Sequence, residues 1–192
     1  MFGESLAGQH VRWSPGLDPP GGWLYALGDD VLAELRWSRS EALVRAEVRD
    51  EVWRTRFSGV LPVHAVLADS REQPQAVYAG SLARGLVLTQ ERQKFVLFSE
   101  VDPARGLWVR VDDTEGQGVL RIQGRVGGGQ PWCEVAVSPN TLFRPFLGRL
   151  LLLWGSLHLL RLRRPWLSIV SFVASERSVQ RALERLAASV SF

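Results

Sequence analysis

The sequence predicts a mainly β protein: a closed antiparallel barrel of about 10–12 strands around a buried apolar helix, followed by an amphipathic C-terminal helix. Three observations carry this. Short segments of alternating apolar and polar residues follow one another from Trp23 to Pro139. Turn-forming Asp, Gly and Pro separate them at intervals of roughly 8–12 residues, too short for the crossover helices of a parallel sheet. Then comes Leu150–Leu160, LLLLWGSLHLL, fenced by Arg149 and by Arg161, Arg163 and Arg164. Eleven residues make a helix of roughly 16 Å, whereas a bilayer core needs about 30 Å, so this run is read as a helix buried in protein.

The elements follow in order. Residues 1–22 are read as an N-terminal extension and loop, ending in SPGLDPPGG, and 23–192 as one barrel domain. Trp23, Tyr25 and Leu27 alternate first. Val31, Ala33, Leu35 and Trp37 come next, opposite Leu32, Glu34, Arg36 and Ser38. Val44, Ala46 and Val48 alternate with Arg45, Glu47 and Arg49; Trp53, Thr55 and Phe57 share a face opposite Arg54 and Arg56. Period-two alternation marks a strand with one wet and one dry face. LPVHAVLAD, QAVYAGSL, GLVLTQ, KFVLFSEV, GLWVRVDD, GVLRIQGRV and WCEVAVSP continue the series. Eight Trp spread along the chain are expected to fill a sheet-lined interior.

A buried helix is expected over about 143–162, with Pro145 in its first turn, where the missing N–H costs little. Gly148, Gly155 and Ser156 are small enough for strands to approach closely. WLSIVSFVAS reads as a further buried strand after Pro165. A closing helix follows over about 176–190, with Ser175 as N-cap; Val179, Ala182, Leu183, Leu186 and Val190 form its apolar face.

Net charge is +3, but unevenly distributed. Up to Asn140 there are fifteen basic and eighteen acidic side chains; from Thr141 onward there are eight and two. The C-terminal quarter therefore carries the positive field, which favours phosphate-bearing partners. Lys94 is the sole lysine. Compositional bias of a genome explains that preference without function, although Arg does bind phosphate bidentately. A lone Cys133 excludes an intrachain disulfide, and MFGESLAGQHVRWSPG has neither a basic lead nor an apolar stretch. Both fit a cytoplasmic protein without a signal peptide.

The order of alternating strands, the Trp-Arg-Thr-Arg-Phe strand (Trp53–Phe57), the Gly-Leu-Trp-Val-Arg-Val strand (Gly106–Val111) and the Leu-rich helix together resemble tubby-like proteins. More closely, they resemble bacterial relatives of the LURP-one-related branch. The resemblance covers roughly Trp23 to Pro165. It implies a closed barrel threaded by an apolar helix and, by analogy with eukaryotic tubby proteins, binding of anionic lipid headgroups at a membrane. The sequence departs from the family in continuing past the apolar helix. No segment matches the family's phosphoinositide site, so no binding residue is carried over.

Catalytic constellations are absent from the sequence: there is no Gly-x-Ser-x-Gly elbow, no Walker loop and no dinucleotide fingerprint. Gly127–Gly129 lies between strand signals and reads as a hairpin loop. Cys133 reads as an inert buried thiol. His10, His64 and His158 have no ligand spacing, so neither a metal site nor a cofactor is expected. His158, inside the apolar helix, reads as a core histidine, with pH sensing as the sharper alternative. Asp112, Asp113 and Glu115 lack the calcium-loop pattern and read as a solvated hairpin tip.

The basic residues remain. Arg161, Arg163 and Arg164, with Arg177, Arg181 and Arg185, form the candidate anion-binding set, against the bland reading of charged flanks facing solvent. The expectation is a non-enzymatic binding or scaffold module, partnered by an anionic membrane surface or a protein. Two alternatives stay open: a membrane-anchored protein inserting 143–160, and a nucleic-acid-associated protein using the C-terminal Arg stripe.

Overall fold

The computed structural model describes residues 8–15, 22–38, 42–59, 63–102, 106–125, 132–140, 143–164 and 176–189. Twelve strands form a single closed antiparallel barrel. They are β1 (His10–Pro15), β2 (Trp23–Leu27), β3 (Asp30–Ser38), β4 (Leu43–Val48), β5 (Glu51–Ser58) and β6 (Val63–Ala68). After these come β7 (Pro74–Gly80), β8 (Arg84–Thr89), β9 (Lys94–Asp102), β10 (Gly106–Asp113), β11 (Gly118–Arg125) and β12 (Trp132–Val137). Each strand pairs with the next, and β1 closes the circle on β12, with Val11 opposite Val135 and Trp13 opposite Cys133.

That closure corrects the assignment of residues 1–22 to an extension. His10–Pro15 is a barrel strand whose dry face is Val11 and Trp13, both fully buried. The alternation was present in HVRWSP but too short to stand out beside the Pro- and Gly-rich loop. Closing the sheet leaves no edge to be blunted, which is why this short segment matters.

The inward faces follow the period-two pattern. Val44, Ala46 and Val48 are buried on β4, and Val63, Ala65 and Leu67 on β6. On β5, Thr55 is buried and Trp53 and Phe57 pack on the core, while Arg54 and Arg56 lie outside with Glu72. Val31 departs from its expected face and is 58% exposed. Tyr25 pairs with Ala33 but Ala26 with Val31, so Leu32 is an extra residue and everything before it flips. Trp108 is likewise on the outside, 37% exposed.

Among the described residues two helices follow: α1 (Arg144–Arg163), and α2 (Glu176–Ser189). Every residue of α1 from Leu150 to Leu160 is buried, and its side chains belong to the same hydrophobic cluster as the inward-facing strand residues. Pro145 stands in its first turn. The segment 165–175, with its expected strand and the Ser175 cap, and Val190 lie outside the described residues. Helix α2 covers the outer surface of the barrel: Leu183 is buried against Val77 and Ala79, with Ala182 and Leu186 beside it. Here β7 is apolar on both faces, as a strand covered on both sides must be.

An antiparallel meander puts alternate connections at opposite ends. One end carries tight turns, such as Asp113–Gly118, where Asp113 Oδ1 accepts hydrogen bonds from the amides of Glu115 and Gln117. Asp112 and Asp113 are themselves buried, Asp112 ion-paired with Arg110 at 2.6 Å. The expected solvated tip is therefore confined to residues 114–118. The other end carries the β1–β2, β3–β4, β5–β6, β7–β8, β9–β10 and β11–β12 connections. Contacts of α1 run from the first end to the second. Phe143 and Phe146 meet the Phe95 ring at the turn end. His158 meets Trp23, and Arg161 meets Leu82, at the loop end.

Candidate functional site

The end of α1 brings polar chemistry into an apolar surrounding at the loop end of the barrel. Arg161 donates from Nη1 to Ser99 Oγ at 2.8 Å and from Nη2 to the Leu82 carbonyl. Ser99 closes the inward series Phe95, Leu97, Ser99 on β9, so it reaches the helix from the barrel wall. Leu82 lies in the short β7–β8 connection, whose geometry is held by Ser81: its Oγ accepts from the amides of Ala83 and Arg84. One turn back along α1, His158 is buried among Trp154, Trp23 and Trp13, stacked on Trp154 at 5.4 Å. Spacing of three residues puts His158 and Arg161 on one face of the helix.

These groups surround a cavity. Leu82, Leu97, Trp154 and Leu157 supply its apolar wall, and Ser99, His158 and Arg161 its polar one. Burial, reinforced by the Arg161 charge, pushes the His158 imidazole down to about 3, so it is neutral near pH 7. Burial also lowers Arg161, but guanidinium remains charged under any ordinary condition. Tyr78, fully buried nearby, donates to the Ser81 carbonyl; burial raises its pKa and keeps it neutral. Arg161 forms no ion pair with any described residue.

The six candidate arginines divide. Arg161 turns into the cavity, while Arg163 and Arg164 are exposed where α1 ends at the same end of the barrel. Arg181 and Arg185 are exposed on α2, outside the barrel. The side chain of Arg177 lies outside the described residues. The structure thus gives no single six-arginine surface. Ser99 and Leu82 went unnoticed in the sequence, although a serine ending an inward-facing apolar series was a legible sign.

Elsewhere the chemistry is quiet. Cys133 is buried, its thiol pushed up to about 12 by desolvation, so it carries almost no thiolate near pH 7. Among the described residues no group of three or more His, Cys, Asp or Glu side chains is placed to hold a metal ion. No described helix is long and apolar enough to cross a membrane. The Gly127–Gly129 loop lies outside the described residues.

No protein family matches the sequence, and no curated protein is similar to it. Among solved structures, the chain is similar to a protein from Arabidopsis thaliana, AT5G01750, at 11% identity and a TM-score of 0.35, over 79% of this chain and 93% of that one. The barrel itself rests on the strand pairing described above.

Proposed function

We propose that this chain is a non-enzymatic binding or scaffold module of tubby-like type, in which α1 is the central filling of the barrel and its basic C-terminal end faces an anionic membrane surface. The observation that carries the reading is the burial of α1 from Leu150 to Leu160 against inward-facing strand residues, with Arg163 and Arg164 exposed where it ends. A lumen occupied by the protein's own helix leaves no substrate-sized interior. Binding then falls to the ends and outer surface, and the loop end is where exposed positive charge meets six connections. Headgroup phosphates suit guanidinium forks. Insertion of 143–160 in lipid is disfavoured, since the side chains of Leu150–Leu160 already have dry protein partners.

Flotation with vesicles tests this. Recovery with vesicles containing phosphatidylserine, none with neutral vesicles, and a marked loss in the double variant Arg163→Glu, Arg164→Glu are expected. Equal recovery on both vesicle types, or none on either, contradicts it. Retention of the signal in that double variant but not in Arg181→Glu, Arg185→Glu would transfer the surface to α2.

A further inference from the structure

We propose that the cavity between α1 and β9 at the loop end is a binding site for one small monovalent anion, of about the size of chloride, held by Arg161, His158 and Ser99. This goes beyond any membrane contact and does not depend on one.

Arg161 Nε is buried without a hydrogen-bond partner, its Nη atoms being engaged by Ser99 and Leu82. His158 Nδ1 is also buried without a partner, and the residue is only 4% exposed. Ser99 Oγ accepts from Arg161, so its own hydrogen is free to point elsewhere. All three side chains line the same cavity, whose remaining wall is Leu82, Leu97, Trp154 and Leu157. The Arg161 Nε–H and the Ser99 hydroxyl therefore meet there with His158, which donates in its Nδ1–H tautomer, and no carboxylate is among them.

Charge points the same way. A guanidinium drawn largely out of water without a counter-ion is costly, and an anion on its free edge removes that cost. Size restricts the occupant: the space admits about one water-sized group, which excludes sulfate, phosphate and lipid headgroups. Water fits by volume but not by chemistry. It accepts at most two hydrogen bonds and, being neutral, leaves the guanidinium charge without a counter-ion.

The test is thermal unfolding at constant pH and ionic strength, with sodium gluconate exchanged stepwise for sodium chloride or bromide. Tm should stay flat at low chloride and then rise by about 3–6 °C per tenfold increase. Ser99→Ala keeps the apolar wall and should shift the onset of that rise several-fold upward in concentration. Arg161→Gln should abolish the rise. If Arg161→Gln fails to fold, Ser99→Ala decides alone. Crystals grown in bromide should show one anomalous peak between Arg161, His158 and Ser99. A wild-type Tm indifferent to the exchange, a Ser99→Ala curve that overlays the wild type, or a bromide-free cavity overturns the site.

Discussion

The Tyr25 hydroxyl donates a 2.6 Å hydrogen bond to the carbonyl of Leu151, joining β2 to the middle of α1 across 126 positions of sequence. Trp13 packs on Tyr25 with ring centroids 4.3 Å apart, on Trp23 at 5.1 Å, and edge-on to Trp154 at 5.7 Å. Thr55 and Ser156 pair their hydroxyls at 2.9 Å, and Ser156 also donates to Leu152. Helix and wall are therefore matched by polar contacts as well as by grease. Buried polar groups that are satisfied only in one arrangement fix the position of a helix more sharply than apolar packing does.

Phenylalanine at position 25 keeps the ring and removes only the donor. The Leu151 carbonyl is inside a helix and is not orphaned by the change, so Tyr25→Phe should cost about 1 kcal/mol. For a chain this long that is a fall in Tm of about 2–4 °C, read by circular dichroism. An unchanged Tm would mean the bond does not contribute.

At Gly155 the helix runs close against Tyr25, Leu35 and Trp13. A Cβ there would lie 2.9 Å from Tyr25 Oη and 3.0 Å from both Leu35 Cδ2 and Trp13 Cη2. Those neighbours are themselves fully buried and cannot retreat. Gly155→Val should lose about 3 kcal/mol, overpacking outweighing any relief of glycine's backbone entropy. A variant as stable as the wild type would place the helix elsewhere.

His158 makes stability depend on pH. Its folded pKa of about 3 lies below the ordinary value of 6.5, so between these limits the unfolded chain binds a proton that the native protein refuses. The stabilisation is whole above pH 6.5 and is lost as pH falls, by up to about 1.4 kcal/mol per unit. His64, lowered by burial, acts in the same sense. Urea unfolding at pH 6.5 and pH 5 should show wild type losing roughly 2 kcal/mol more than His158→Leu. Equal losses would contradict a neutral buried imidazole.

Much of this architecture was legible from alternation alone, because one wet face and one dry face impose a period of two wherever a sheet encloses a core. Eleven of the twelve strands announced themselves in that way. β1 did not, since a short strand carries only two dry residues, Val11 and Trp13. Val31 misled for another reason: a bulge depends on register between two strands, which no single segment encodes. The site was less legible still. His158 and Arg161 stood out in the sequence, but Ser99 and Leu82 join them only through barrel closure, which is a long-range event. The arginines looked like one group because they are near in sequence, whereas Arg161 lines the cavity with Ser99 and Leu82 while Arg181 and Arg185 are exposed on α2.

Helix α2 is an outer cover, so its loss should spare the barrel. Leu183→Asp puts a charge against Val77 and Ala79 and should cost about 2–4 kcal/mol. Near-ultraviolet circular dichroism from the buried Trp cluster should survive while a hydrophobic dye begins to bind. Collapse of the Trp signal along with the helix would make α2 part of the core.

The central claim is that α1 belongs inside, and Leu152→Arg tests it most directly. Leu152 is fully buried, so a guanidinium there has neither water nor a counter-ion and should cost several kcal/mol, a large share of a domain's stability. Thermal unfolding of this variant should show no cooperative transition, or one lowered by more than about 10 °C. A transition at the wild-type temperature would contradict it.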